Sequence, residues 1–290
     1  MAYASPLVST EAVVMATATR KRFAKRAQQP AAIHRTAIVH PKAKLGPGVS
    51  VGPYAVIESS VTIGAGTKIG SHCVIEGRTT IGSECEIFTG AVIGSIPQDL
   101  KYRGEASTLV IGDRNKIREY VTINPGTAGG GNTTVIGSDC LLMAYSHVAH
   151  DCLVGNHVVI ANSAALAGHI TVEDRAVIGG LVGVHQFVRI GALSIVGGCS
   201  RVIQDIPPYA MCVGYPARVF GLNTEGLLRA GISDQVKRRL HRAFRLLFYS
   251  KLSLPHALDQ VVQDIERCPE LDQLLAFMRQ PSKRGVCRAS

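Results

Sequence analysis

A six-residue period constrains this chain more than any other feature. Aliphatic side chains recur in one phase at Ile33, Val39, Leu45, Val51, Ile57, Ile63, Ile69, Ile75, Ile81, Ile87 and Ile93. The phase breaks over residues 95–110, resumes at Ile111, Ile117 and Ile123, and breaks again over the glycine-rich residues 126–134. It then runs unbroken through Ile136, Leu142, Val148, Val154, Ile160, Leu166, Val172, Ile178, Val184, Ile190, Val196 and Val202. An α-helix, with about 3.6 residues per turn, cannot keep such a series on one face. The residue after the aliphatic is often glycine, as at Gly46, Gly64, Gly82, Gly137 and Gly197. Tight corners with positive φ are the expected reason. The residue four positions on is small or β-branched, as at Val49, Ala55, Val61, Thr67, Ala91 and Ala164, which suits a crowded interior beside the aliphatic ladder.

This periodicity resembles the hexapeptide-repeat family, in which three six-residue units make one triangular turn of a left-handed parallel β-helix. The resemblance implies a mainly β fold over residues 33–206, with the two phase breaks extruded as loops near 95–110 and 125–135. Insertions of that kind in repeat proteins tend to lie on binding faces. After the exit Ile206-Pro207-Pro208 the pattern turns helical, so a small α-helical domain is expected over 207–290. Asn223 is placed to cap a segment through Ala230, Ser233 one through Tyr249, and Ser253 with Pro255 one through Arg267. In the middle helix Val236, Leu240, Phe244 and Leu247 share a face, away from Lys237, Arg238, Arg242 and Arg245.

Residues 1–32 read as a basic extension, with Arg20, Lys21, Arg22, Lys25 and Arg26 against the single acid Glu11. Such a segment is a transit peptide or a disordered arm, so the expected location is the cytoplasm, with a mitochondrion or plastid as the alternative. No window is apolar enough for a membrane span. A formal charge of +10 points to an acidic partner. With no Trp and no nucleic-acid-binding signature, that partner is not expected to be nucleic acid. The eight cysteines include no CxxC pair, and Cys73, Cys85, Cys140 and Cys152 all fall at the small inward position, where a thiol packs as a compact hydrophobe. They indicate neither disulfides nor a metal site, and a reducing compartment follows.

Most histidines fall at outward positions and need no function, as at His34, His40 and His72. His147-Val148-Ala149-His150-Asp151 differs, because two imidazoles flank the inward Val148 and a carboxylate follows at once. His169 and His185 lie on the next coils. With 18 residues per coil, His150, Gly168 and Gln186 stack in one column, setting an imidazole beside a backbone N–H. Neutral imidazole can take a hydroxyl proton near neutral pH, and an adjacent Asp151 can orient it. A zinc reading stays open as well, since hexapeptide-repeat carbonic anhydrases bind metal with three histidines. The Asp151 and Gly168 context argues against it, and neither metal nor cofactor is expected.

Several further segments resemble the bacterial UDP-N-acetylglucosamine O-acyltransferases, which open lipid A synthesis. They are Pro97 to Tyr102, His147 to Asp151, Leu166 to His169, Gly183 to Phe187, Val196 to Cys199 and Asn223 to Leu227. By that resemblance His150 is the general base, Asp151 supports it, and the Gly168 amide stabilises the thioester oxyanion. Asp99, Lys101, His147, His169 and Gln186 line the sugar and acyl groove, while Asn223, Glu225 and Arg229 hold the uridine diphosphate. Gly198 matches the family's hydrocarbon ruler. The resemblance also implies a homotrimer with sites between subunits, and acyl carrier protein as the acidic acyl donor. Two departures stand out: Asn124-Pro125 replaces a basic pair of some members, and Ala230 replaces a second arginine after Arg229, so nucleotide binding is expected to differ. The alternatives are a related UDP-sugar N-acyltransferase, whose uridine-binding N-terminal domain is missing here, and a trimeric nucleotide-sugar-binding scaffold without turnover.

Overall fold

The structure, a computed structural model, describes residues 30–289; the basic extension and its targeting role lie almost wholly outside the described residues. Every ladder aliphatic closes a short strand, from Ala32–Ile33 to Arg201–Val202. The strands pair in parallel into three sheets of eleven, nine and eight strands, the last strands of the eleven-stranded sheet coming from beyond the coil. Each coil passes through the eleven-, then the nine-, then the eight-stranded sheet, so the chain winds a three-sided parallel β-helix. From Val51 onward the ladder is buried, whereas Ile33 is 48% exposed because the first coil has a described neighbour on one side only.

The inward position four residues on is as closely filled as its composition predicts: Val49, Ala55, Val61, Cys73, Cys85, Ala91, Cys152 and Ala164 are all buried. Burial pushes the Cys85 and Cys140 thiols up to about 11 and that of Cys152 up to about 12, so these cysteines are inert packing groups. All eight cysteines are free.

The corner glycines have a different cause from the one their composition suggests. Positive φ falls three residues after the ladder aliphatic, at Tyr54, Glu84, Tyr145, Asp151, His169 and others, whereas of the glycines one residue after it only Gly94, where the first loop leaves, has positive φ. Those glycines are required by close approach instead. A Cβ at Gly52 would lie 2.9 Å from the Gly70 carbonyl carbon, and one at Gly112 would lie 2.8 Å from that of Gly137. Stacked corners touch backbone to backbone, and a side chain there would prise the coils apart.

Both phase breaks are excursions of the same edge. Residues 94–107 leave the nine-stranded sheet after Val92–Ile93 and return at Thr108–Ile111; residues 124–132 leave after Thr122–Ile123 and return at Thr133–Ile136. Asn124, buried, ties the two together by donating from Nδ2 to Ser95 O at 2.9 Å and to Ile96 O at 3.3 Å.

Beyond the coil the chain adds a feature absent from the sequence expectation. The antiparallel hairpin Ala210–Gly214 and Ala217–Leu222 extends the eleven-stranded sheet before the helices begin. Then come α1 (Thr224–Arg229), α2 (Asp234–Tyr249), α3 (Leu254–Asp264) and α4 (Pro269–Arg279). Asn223 accepts from Gly226 N–H and Ser233 from Val236 N–H, capping α1 and α2 as their residue types predict. Leu240 and Phe244 of α2 are buried, and α2 packs against the hairpin strand Ala217–Leu222 and against α3 and α4. The final segment returns to the exit of the coil, where Val286 pairs with Asp205, and to the hairpin, where Ala289 pairs with Val219. Among the described residues no helix is long and apolar enough to cross a membrane.

Candidate active site

The edge between the nine- and eight-stranded sheets carries both loop excursions and then, on successive coils, His150-Asp151, Gly168-His169 and Gln186-Phe187. Its stacking is set by the ladder register, with His147 paired to Ala165 and Ala165 to Gly183. The His169 N–H donates to His150 O at 3.0 Å and the Phe187 N–H to Gly168 O at 3.3 Å, so the expected column forms. His150 lies directly against Gly168: a Cβ on that glycine would fall 2.6 Å from His150 Nε2. Among the described residues nothing accepts the Gly168 N–H.

Asp151 is fully buried and positioned from several sides. Its Oδ2 lies 2.8 Å from His150 Nδ1. Thr127 donates its N–H to Oδ1 at 2.9 Å and its hydroxyl to Oδ2 at 2.6 Å, and the Asp151 N–H donates to Thr134 Oγ1 at 2.8 Å. A Cβ on Gly130 would overlap the carboxylate, so the second loop must be glycine where it passes over Asp151. With its Nδ1 turned to a carboxylate, His150 presents Nε2 outward.

His169 packs edge-on to His150 at 5.0 Å and stacks on Phe187 at 4.6 Å, with Lys283 Nζ 4.3 Å above the far ring. Burial holds the His169 imidazole below its ordinary 6.5; the Asp151 charge pulls the other way, and His150 and Lys283 reinforce the depression. His147, hydrogen-bonded through Nδ1 to Thr122 Oγ1 at 2.7 Å, is also depressed by burial and then by His150. Asp99 reaches this edge from the first loop, since its charge acts on His169, and its Oδ1 accepts from the Lys101 N–H at 3.0 Å while the Lys101 side chain stays exposed. Gln186 is exposed on the same column.

Other expected site residues are not brought here by a single chain. Gly198 follows Ile195–Val196 and precedes the nine-stranded sheet, whereas His150 follows that sheet, so they occupy opposite edges of one face. Asn223 donates Nδ2 to Leu193 O at 2.8 Å, beside the third edge. Glu225 and Arg229 pair with each other at 3.0 Å, both largely exposed on α1. Ligand atoms of His150, Asp151 and His169 lie within 4.8 Å of one another, close enough to share a cation. The Asp151 oxygens, however, already receive Thr127 and face His150.

Thr127, Thr134 and Gly130 were not legible as site residues, nor were Phe187 and Lys283. The second loop lengthens its coil, so Thr122 pairs with His147 across 25 positions instead of 18. Counting 18 back from Asp151 in the restored phase reaches Thr133, next to Thr134, but not Thr127, which the loop supplies.

A model of the UDP N-acetylglucosamine O-acyltransferase family, domain 2, matches residues 205–287, and bacterial transferase hexapeptide repeats match 42–77 and 133–168. The acyl-(acyl carrier protein)–UDP-N-acetylglucosamine O-acyltransferase of Anaeromyxobacter dehalogenans is 49% identical over 257 residues, 89% of this chain and 100% of that protein. This chain belongs to the UDP-N-acetylglucosamine O-acyltransferase family. A solved acyltransferase of this family from Acinetobacter baumannii aligns with a TM-score of 0.86 at 44% identity, covering 88% of this chain and 99% of that one. One from Arabidopsis aligns at 0.77 with 38% identity, covering 88% of this chain and 100% of its own. Membership of this O-acyltransferase family carries the hand of the coil with it: the β-helix is left-handed.

Proposed function

We propose that the chain transfers a 3-hydroxyacyl group from the thioester of acyl carrier protein to the 3-hydroxyl of UDP-N-acetylglucosamine, the step that opens lipid A synthesis. The observation that carries this reading is the His150 imidazole, oriented by a buried Asp151 and lying against an N–H that no protein group accepts. His150 Nε2 removes the proton of the sugar hydroxyl as its oxygen bonds to the thioester carbonyl carbon. The Gly168 N–H receives the resulting oxyanion, replacing a hydrogen bond that water would otherwise supply. Collapse breaks the carbon–sulfur bond, and the imidazolium returns its proton to the leaving thiolate. Sugar ester and free carrier thiol result, with no acyl-enzyme and no cofactor.

Asp99, Lys101, His147, His169 and Gln186 surround the acceptor sugar and the carbonyl. Asn223, Glu225 and Arg229 take the uridine diphosphate, with Arg229 exchanging its exposed Glu225 partner for phosphate. Because these residues and Gly198 lie on other edges than His150, the complete site needs edges of adjoining copies, which favours the homotrimer. At Gly198 the missing side chain leaves room for a chain of about fourteen carbons, and one methylene in such a groove is worth about 1–3 kcal/mol. Substrates of this kind favour the cytoplasm over a mitochondrion or plastid as the enzyme's location.

The test is an acyl-transfer assay with 3-hydroxyacyl carrier proteins of graded length and UDP-N-acetylglucosamine, with and without a chelator. Expected is a chelator-insensitive O-acylated sugar nucleotide. Loss of product on chelation would favour a cation on His150, Asp151 and His169, and no product with any donor would leave a binding scaffold.

A further inference from the structure

Cys212 and Cys287 are far apart in sequence, and the fold brings their sulfurs together. Cys212 lies in the hairpin strand Ala210–Gly214, where it pairs with Val219 of the strand Ala217–Leu222. The returning C-terminal segment runs parallel to that second strand: the Val219 N–H donates to Arg288 O at 2.9 Å, and Val219 and Ala289 form a bridge. Cys287, two residues before Ala289, donates its S–H to Ala217 O at 3.1 Å. The Cys212 thiol hydrogen-bonds the Cys287 sulfur in turn, and both side chains are buried.

This pair differs from the inward cysteines of the coil. Burial pushes the thiols of Cys73, Cys85, Cys140 and Cys152 up. At Cys287 the hydrogen bond from Cys212 lowers the thiol, burial opposes, and the Arg218 charge adds to the lowering. Cys212, which keeps its proton to make that bond, is pushed up. One sulfur is therefore the nucleophile and the other its protonated neighbour. Access comes from the segment itself. Beyond α4, among the described residues, three backbone hydrogen bonds attach it to the body: Asp205 N–H to Gly285 O at 2.8 Å, Cys287 N–H to Asp205 O at 2.8 Å, and the one from Val219. A strap so sparsely bonded opens locally at far less cost than global unfolding.

We propose that Cys212 and Cys287 form a redox-active dithiol, oxidised to a disulfide that staples the returning segment to the hairpin. The oxidant is a small disulfide such as oxidised glutathione. The Cys287 thiolate attacks one of its sulfurs, that S–S bond breaks, and one glutathione thiol leaves with the proton that Cys287 gave up. The Cys212 sulfur then attacks Cys287 in the mixed disulfide, forms the protein S–S bond, and releases the second glutathione thiol with the Cys212 proton. Two protein thiols lose two electrons, and the oxidant gains them. In a reducing compartment the pair rests as thiols, and stapling follows a fall in the ratio of thiol to disulfide. The stapled segment carries Arg284 and Arg288, which wall one cleft with His185, Arg201 and Arg218, so oxidation fixes that wall.

The full-length protein is equilibrated in glutathione buffers of graded ratio, its remaining thiols are blocked, and unreduced peptides are mapped by mass spectrometry. Expected is a Cys212–Cys287 cross-link, lighter than the two thiols by two hydrogens, with Cys73, Cys85, Cys140 and Cys152 still reduced. Glutathione on the exposed Cys199 or on Cys287, with no cross-link at any ratio, would overturn the assignment. In a Cys199→Ser background the oxidised protein should unfold at least about 5 °C above the reduced one, because the link closes a long loop, and dithiothreitol should reverse the rise. Cys212→Ala and Cys287→Ala, made separately, should each abolish it; a rise that persists in either would sink the pair. The peptide map needs neither substitution, so it decides the matter even where one of them loosens the core.

Discussion

Along the edge that joins the eight- to the eleven-stranded sheet, four successive coils have the backbone N–H two residues after the ladder aliphatic taken by a side chain of the next coil. Ser83 donates to Asp113 Oδ1 at 2.7 Å, Asp113 to Ser138 Oγ at 3.0 Å, Ser138 to Asn156 Oδ1 at 2.9 Å and Asn156 to Asp174 Oδ1 at 2.7 Å. The equivalent N–H on the histidine edge belongs to Gly168, and there His150 stands over it without capping it. The same amide of the same repeat is a structural bond on one edge and an unmet donor on the other. On the histidine edge, among the described residues, the repeat leaves this N–H unmet at His150, Gly168 and Gln186 alike, and the proposed oxyanion donor is the one that lies beside an imidazole held by Asp151, Thr127 and the second loop.

That contrast is broken most severely by His150→Ala, which removes the proposed base but nothing that holds the coil. Steady-state kinetics should show kcat reduced about 10²- to 10⁴-fold, with the thermal midpoint close to wild type; activity within tenfold of wild type would refute the role. Gly130→Ala acts one layer out. Its Cβ must displace Asp151, so kcat should fall about 10- to 100-fold, the scale of a small misplacement of a reacting group, with circular dichroism unchanged. On the opposite edge Asp113→Ala should do the reverse. Removing the acceptor of Ser83 N–H costs about 1 kcal/mol in denaturant unfolding and leaves kcat per folded enzyme unaltered. A large kcat loss there would show that the two edges are not separable.

The smallest effect is in pH. Burial sets the His147 imidazole below its ordinary 6.5, so the folded state binds fewer protons than the unfolded chain just below that value. Stability is full above 6.5 and falls as pH drops below it, levelling once the folded imidazole also takes its proton. Denaturant unfolding should lose stability between about pH 7.5 and pH 5.5, and His147→Gln should flatten the slope.

Much of this architecture was legible because the ladder is periodic. Ile136 to Val202 fixes the column of His150 and Gly168 by counting alone, and the phase breaks mark both loops. Asn223 and Ser233 announced their helices through capping chemistry. The corner glycines misled, since composition does not distinguish a residue that needs positive φ from one that must admit a neighbouring backbone. Asn124, a departure in a nucleotide-binding loop by sequence, is a pin between the two excursions.

What the sequence determined by itself is whatever depends on a fixed interval: the coil, its three faces, the inward cysteines and the stacking of base over amide. Only the tertiary structure decided which loop residue holds Asp151, that the hairpin carries the sheet onward, and that Arg201, Arg218, Arg284 and Arg288 meet in one cleft. The reason is physical. A repeat propagates position through uniform hydrogen-bonded spacing, whereas loops and the returning C-terminal segment find their places by contacts between residues whose separation along the chain follows no rule.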